Sequence, residues 1–287
     1  EMIPVTTPAS RYGRYMIEVT LSGGKRGTYI TEEYEFSRCV YNVEKSDTFG
    51  VISRISTTEK SPEKLVELIE NAGIGLVRET FNWMSYDKND GSEPSLTREQ
   101  RRALNLIKKH GLEPLIILYG NNAYYEPASD FVSPENMPNY RNFIKRIVNE
   151  PEMKFVKNIE IYNEPDIKPK YLGTDISDDN TRKGELYADM LINAYEAANE
   201  VRSDLLVSGF SFSRVMDPVA TKSFLDGVSQ VVRNYYLQND KLPFDNVSIH
   251  PYFSPVNPEK GYFGSDSDSI WEFRRMSVQD IIGYYEQ

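Results

Sequence analysis

At 287 residues the chain is long enough for one large α/β domain or two smaller ones, and 39% hydrophobic with 26% charged residues is ordinary for a globular protein. A net charge of −10 argues against nucleic acid or an anionic membrane surface as partner. The single cysteine, Cys39, excludes an internal disulfide and reads as a small buried hydrophobe, and no apolar run is long enough to span a membrane.

Residues 1–44 read as a unit apart. The chain opens Glu1-Met2-Ile3-Pro4, without a signal peptide and in the manner of a segment inside a longer gene. Tyr12 to Leu21 alternates, Ser22-Gly23-Gly24 turns, and Thr28 to Phe36 alternates again. This is a β-hairpin, marginal alone, and is expected to be the end of a β-sandwich accessory domain followed by a linker.

From residue 45 to 287 strand-like runs alternate with helical ones. The first strand is expected over Thr48–Ser56. Ser61 should cap a helix with Pro62 at its first position, with Leu65, Leu68, Ile69 and Ala72 as its buried stripe and Gly73 as its end. The second strand is Ile74–Phe81. Thr97 and Gln100 fit a capping box for a helix through Lys109 that closes at Gly111. The third strand is Leu112–Tyr119. Ser133-Pro134 opens a helix with Tyr140, Ile144, Ile147 and Val148 facing inward.

The fourth strand runs Asn158-Ile159-Glu160-Ile161-Tyr162-Asn163-Glu164 and is stopped by Pro165, which has no N–H for the ladder. Leu186, Met190, Ala194 and Ala197 mark a long helix, and Leu205–Phe212 is the fifth strand. Asp217-Pro218 starts a helix with Phe224, Val228, Val231 and Tyr235 on one face. Asn246–Tyr252 is the sixth strand, and Val278–Glu286 is a last helical stretch. Each unit has the length of a parallel crossover. An open doubly wound sheet or a (β/α)8 TIM barrel of which about six units are present would both serve, and no Gly-rich phosphate loop follows the first strand, which counts against a dinucleotide fold.

Polar groups gather at the C-terminal ends of these strands, where an α/β barrel carries its chemistry. The second strand gives Arg78 and leads to Trp83; the third leads to Asn121, Tyr124 and Tyr125. The fourth ends on Asn163-Glu164-Pro165, and the sixth on His250-Pro251-Tyr252-Phe253. Singly each has an ordinary account: Arg78 as an ion-pair partner, His250 as a core histidine, Trp83 and Tyr125 as packing. His110, beside Gly111 at a helix C-terminus, complements the helix dipole and is assigned no function. Their shared position on one face favours a site.

Arg78, Asn163-Glu164-Pro165 and His250-x-Tyr252 in this order resemble clan A of the glycoside hydrolases. Thr48-Phe49-Gly50 and Gly75-Leu76-Val77-Arg78-Glu79-Thr80-Phe81-Asn82-Trp83 look most like family 39 and its neighbours, over roughly residues 48–287. The resemblance implies a retaining glycosidase on a TIM barrel, acting on a carbohydrate, without a cofactor or metal, and extracellular or periplasmic. Glu164 would be the general acid/base, Asn163 would bind the sugar 2-hydroxyl, and Arg78 would hold the nucleophile ionised. His250 and Tyr252 would orient the carboxylates and sugar. Trp83, Asn121, Tyr124, Tyr125 and Phe253 would bind substrate, the rings by stacking on sugar C–H faces.

The sequence departs from the clan in one respect. The clan's nucleophile is a glutamate at the end of strand seven, and none of Glu259, Asp266, Asp268, Glu272, Asp280 or Glu286 lies at a strand end. The chain is therefore expected to be truncated, inactive alone and prone to aggregate, unless the remaining barrel segment is supplied in cis or as a separate chain. The alternatives are a non-catalytic carbohydrate-binding barrel and a metal-dependent isomerase or lyase. With two histidines distant in sequence, a His-rich metal site is disfavoured.

Overall fold

The computed structural model describes residues 13–23, 28–38, 44–57, 61–167, 170–213 and 218–250. The alternation near the N-terminus forms strands β1 (Gly13–Gly23) and β2 (Thr28–Arg38), an antiparallel hairpin in register from Gly13 opposite Arg38 to Gly23 opposite Thr28. It is a two-stranded sheet of its own.

The short apolar runs that follow become parallel strands. They are β3 (Ser46–Ile52), β4 (Ile74–Asn82), β5 (Glu113–Tyr119) and β6 (Asn158–Ile161). A small antiparallel pair, β7 (Lys170–Tyr171) and β8 (Thr174–Asp175), interrupts the series before β9 (Leu206–Phe212) and β10 (Asn246–Ile249). The sheet order is β10-β9-β6-β5-β4-β3, and every pairing in it is parallel. This order decides between the two architectures left open above. A doubly wound sheet reverses its strand order at a switch point. Here each strand lies beside the one before it, so right-handed crossovers put the helices on one side, as in a barrel. The fold is α/β, a six-stranded parallel half-barrel.

Among the described residues the five crossovers carry six helices: α1 (Pro62–Asn71); α2 (Trp83–Tyr86) and α3 (Arg98–Lys109), which share one connection; α4 (Met137–Asn149); α5 (Asn180–Val201); and α6 (Pro218–Asn239). The α3 capping box is complete: Thr97 Oγ1 accepts from Gln100 N at 3.1 Å, and Gln100 Oε1 accepts from Thr97 N at 2.8 Å. Ser61 differs from expectation. It precedes α1 with φ 59° and its side chain makes no capping bond, so Pro62 with its preset φ starts the helix. The buried stripe of α1 is also rotated: Val66 and Ile69 are buried, whereas Leu68 is 63% exposed. Ser133 and Pro134 form a turn ahead of α4 rather than its first residues, but Tyr140, Ile144, Ile147 and Val148 are all buried as expected.

The helical layer is tightly seated. A Cβ on Gly184 of α5 would stand 2.1 Å from the Phe224 carbonyl oxygen of α6, and one on Gly227 of α6 would stand 2.1 Å from the Thr181 oxygen of α5. Only hydrogen at these two positions lets the helices meet this closely. Along the strands the pleat sends alternate residues to opposite faces. Val77, Glu79 and Phe81 of β4 and Ile159 and Ile161 of β6 are buried under the helices, while Leu76, Arg78 and Asn158 line a concave cavity of about 480 Å³ on the other face.

Candidate active site

β6 ends earlier than the sequence suggests, at Ile161, and the backbone then turns sharply. Tyr162 and Glu164 adopt φ of 71° and 53°, and on the neighbouring strand Phe210 and Ser211 adopt 80° and 24°. The β9–β10 register slips at the same place, with Val247 opposite Gly209 but Ile249 opposite Phe212, which marks a bulge. Four non-glycine residues with positive φ cost on the order of 1–3 kcal/mol each, so surrounding bonds must hold them. Glu164 N donates to Ser211 O at 3.0 Å, and Ser211 Oγ donates to Tyr162 O at 3.2 Å. The Tyr187 hydroxyl accepts from Phe210 N at 2.6 Å and donates to Ile161 O at 3.2 Å. Asp166, 2% exposed, accepts from Ser213 N. These contacts aim Glu164 out of the strand plane.

The side chains so aimed form one network. His250, held by its N–H on Phe212 O at 3.1 Å, places Nδ1 3.0 Å from Glu164 Oε1. Its Nε2 lies 3.2 Å from Arg78 Nη2. A guanidinium can only donate. Nε2 therefore accepts, the ring proton sits on Nδ1, and Nδ1–H donates to Glu164. Arg78 Nη2 also donates to Asn163 Oδ1 at 3.0 Å, which turns the Asn163 amide nitrogen away from Arg78.

Arg78 is anchored by Glu160. Nη2 is paired with Glu160 Oε1, and Nε donates to Oε2 at 3.3 Å, while Ser248 Oγ donates to Oε2 at 3.0 Å. Glu160 is 1% exposed. Such a buried carboxylate is tolerable only when paired and hydrogen-bonded. Arg78, Asn163, Glu164 and His250 are thus brought together from three strands. Glu160 belongs with them although the sequence reading gave it no role; its signal was a carboxylate alternating with Ile159 and Ile161 in a buried strand. Tyr252 and Phe253 lie outside the described residues.

The aromatic residues divide. Trp83 is not a stacking surface: it is fully buried, packed against Tyr125 at 5.3 Å and Phe143 at 5.5 Å between ring centroids. The cause is α2, which starts at Trp83 and turns the side chain under α4. Asn121 is a loop staple, its amide donating to Glu126 O at 3.0 Å and Ser129 O at 2.6 Å and its Oδ1 accepting from Asn122 N at 2.7 Å. The Tyr125 hydroxyl donates to Asp87 Oδ2 at 2.9 Å, and burial together with that carboxylate raises its pKa above the ordinary phenol value. Tyr124 is 54% exposed and remains a surface ring. Among the described residues no group of three or more His, Cys, Asp or Glu side chains is placed to hold a metal ion.

Among solved structures, the chain is similar to a family 39 glycoside hydrolase from the gut symbiont Bacteroides cellulosilyticus WH2, at 22% identity and a TM-score of 0.68 over 88% of this chain and 48% of that one. It is also similar to the GH39 enzyme from Xanthomonas axonopodis pv. citri, at 15% identity and a TM-score of 0.53 over 83% of this chain and 49% of that one. The chain spans about half the length of both structures. No family model and no curated protein matches the sequence. The similarity is one of fold, and it falls on the family to which the motifs pointed.

Proposed function

We propose that this chain carries the acid/base side of a retaining glycoside hydrolase, with Glu164 as the general acid/base. The observation that supports this is the bond from His250 Nδ1–H to Glu164 Oε1, itself set by Arg78. Because Oε1 accepts, the proton of a neutral Glu164 carboxyl is carried on Oε2. That proton passes to the glycosidic oxygen as the bond from it to the anomeric carbon breaks and a second carboxylate attacks from the opposite face. The Glu164 carboxylate then takes a proton from the water that hydrolyses the covalent intermediate. Asn163, its Oδ1 engaged by Arg78, presents its N–H groups to a sugar hydroxyl.

Glu160 is not the attacking carboxylate. It is 1% exposed, and both its oxygens are engaged by Arg78 and Ser248. On this reading the attacking carboxylate comes from outside the described residues.

The test is kinetic. In the full chain, Glu164→Ala should slow glycosides with poor leaving groups by about 10²–10⁴-fold and activated aryl glycosides far less. Azide should restore turnover of the activated substrates, since it attacks the intermediate without a base. Equal losses on both substrate types without azide rescue would remove the assignment. Wild-type protein that binds glycans and turns over none would favour a carbohydrate-binding barrel instead.

A further inference from the structure

We infer that Glu160 is a positioning residue: it fixes Arg78 and, through Arg78, the tautomer of His250. The chain of contacts runs Glu160 to Arg78 to His250 to Glu164, and each link constrains the next. Glu160 grips the guanidinium through two of its nitrogens, Nε and Nη2, so the plane of the fork cannot rotate. Ser248 Oγ locks the carboxylate from its other side at 3.0 Å. With the fork fixed, the two hydrogens of Nη2 are shared among Glu160 Oε1, Asn163 Oδ1 and His250 Nε2, the last being the longest at 3.2 Å.

That longest contact is the informative one. An Nε2–H on His250 would face N–H groups that cannot accept, so the competing tautomer is opposed as long as Arg78 stays in place. Were that tautomer adopted, Nδ1 would become an acceptor and would draw the Glu164 proton onto Oε1. The orientation of the proton on Glu164 is therefore set from a carboxylate that no substrate reaches. Arg78 and Glu160 are 82 residues apart in sequence and lie on β4 and β6, with β5 between them, so the lock also ties together two of the three strands that carry the site.

The kinetic consequence rests on the reading of Glu164 as acid/base; the tautomer does not. The chain has two histidines, so ¹⁵N-histidine labelling gives two ring systems, and His110→Gln assigns them. Long-range ¹H–¹⁵N spectra should show His250 protonated on Nδ1 in the wild type. In Glu160→Gln, confirmed as folded by thermal melting, the charge that orients the fork is gone, and the signal should move to the Nε2–H form or to an exchange average. Arg78→Lys, whose point charge cannot hold Glu160 and His250 together, should do the same and decides the matter if Glu160→Gln does not fold. Ser248→Ala removes one bond to Glu160 but keeps the ion pair, and should shift the tautomer less than Glu160→Gln does. On substrates with poor leaving groups Glu160→Gln should lower kcat by roughly 10–10²-fold with KM little changed, as expected for a misplaced catalytic group. A wild-type His250 protonated on Nε2, or a folded Glu160→Gln or Arg78→Lys that keeps Nδ1–H, would overturn the inference even if activity is lost. An altered tautomer with no effect on leaving-group dependence would leave the positioning intact and count against Glu164 as the acid.

Discussion

Two carboxylates, Glu79 and Glu160, are each 1% exposed within strands of the same sheet, and they do opposite things. Glu79 lies on the face covered by helices. It accepts from Ser53 Oγ, from the backbone N–H groups of Arg54, Ile55 and Ser56 at 2.9, 2.7 and 3.1 Å, and from Ser56 Oγ at 2.6 Å. All its donors are neutral, and all belong to the loop and 3-10 turn after β3. Glu160 lies on the concave face and faces a guanidinium whose other contacts reach Asn163 and His250. Equal burial therefore says nothing about role. A carboxylate satisfied by neutral donors of one short segment fixes a loop, whereas one satisfied by a charged side chain passes its position to whatever that side chain touches.

The sharpest way to test this division is to damage the helix-covered face and read out the site. Trp83→Ala should give the largest effect, a stability loss of about 3–5 kcal/mol for a fully buried indole between Tyr125, Tyr140 and Phe143. Thermal unfolding should show a drop of roughly 6–20 °C at 2–4 °C per kcal/mol. The His250 tautomer should not change in the protein that remains folded. A small change in melting temperature together with weakened glycan affinity would return Trp83 to the cleft.

Glu79→Gln should come next, at about 1–3 kcal/mol, because one end of the new amide presents N–H groups to donors that have lost their acceptor. Its neutral counterpart on the other face, Glu160→Gln, should differ in kind: a change in tautomer and in kcat. If Glu79→Gln altered the His250 signal as strongly as Glu160→Gln, the two faces would be coupled and the division would fail.

The same division explains what could be read from the sequence. Features set by neighbours along the chain were legible, such as the Thr97–Gln100 capping box and the inward stripe of α4. Clustering of Arg78, Asn163, Glu164 and His250 followed from strand order and periodicity, since Asn163, Glu164 and His250 lie just beyond strand ends and Arg78, in the middle of β4, alternates onto the concave face. Features set by partners far away in sequence were not. Glu160 looked like any strand residue because Arg78 lies 82 positions earlier. Trp83 looked like a cleft residue because the turn of backbone into α2 comes directly after β4. Leu68 and Val66 compete for the buried side of a ten-residue helix, and only its docking chooses between them.

The smallest expected effect belongs to a pair at the far end of α5. Arg202 is 7% exposed, and its guanidinium donates to Met153 O at 3.2 Å and Val156 O at 3.0 Å before pairing with Asp204 at 2.7 and 2.8 Å. Hydrogen bonds from Arg202 bring Asp204 down from 3.8 to about 2. The folded value is the lower one, so the pair stabilises the fold fully above about pH 4 and ceases to as the pH falls through about 2. Asp204 is 64% exposed, so solvent screening holds the contribution to about 1 kcal/mol or less. Asp204→Asn should therefore lower the denaturation midpoint slightly at neutral pH, and the difference from wild type should shrink as the pH is taken from 4 toward 2. Because the backbone carbonyls still hold Arg202 in the variant, no large loss is expected at any pH. A difference that stayed constant or grew on acidification would show that Asp204 acts through something other than its charge. No change in the His250 signal is expected, since this pair sits at the opposite end of β6 from Glu164.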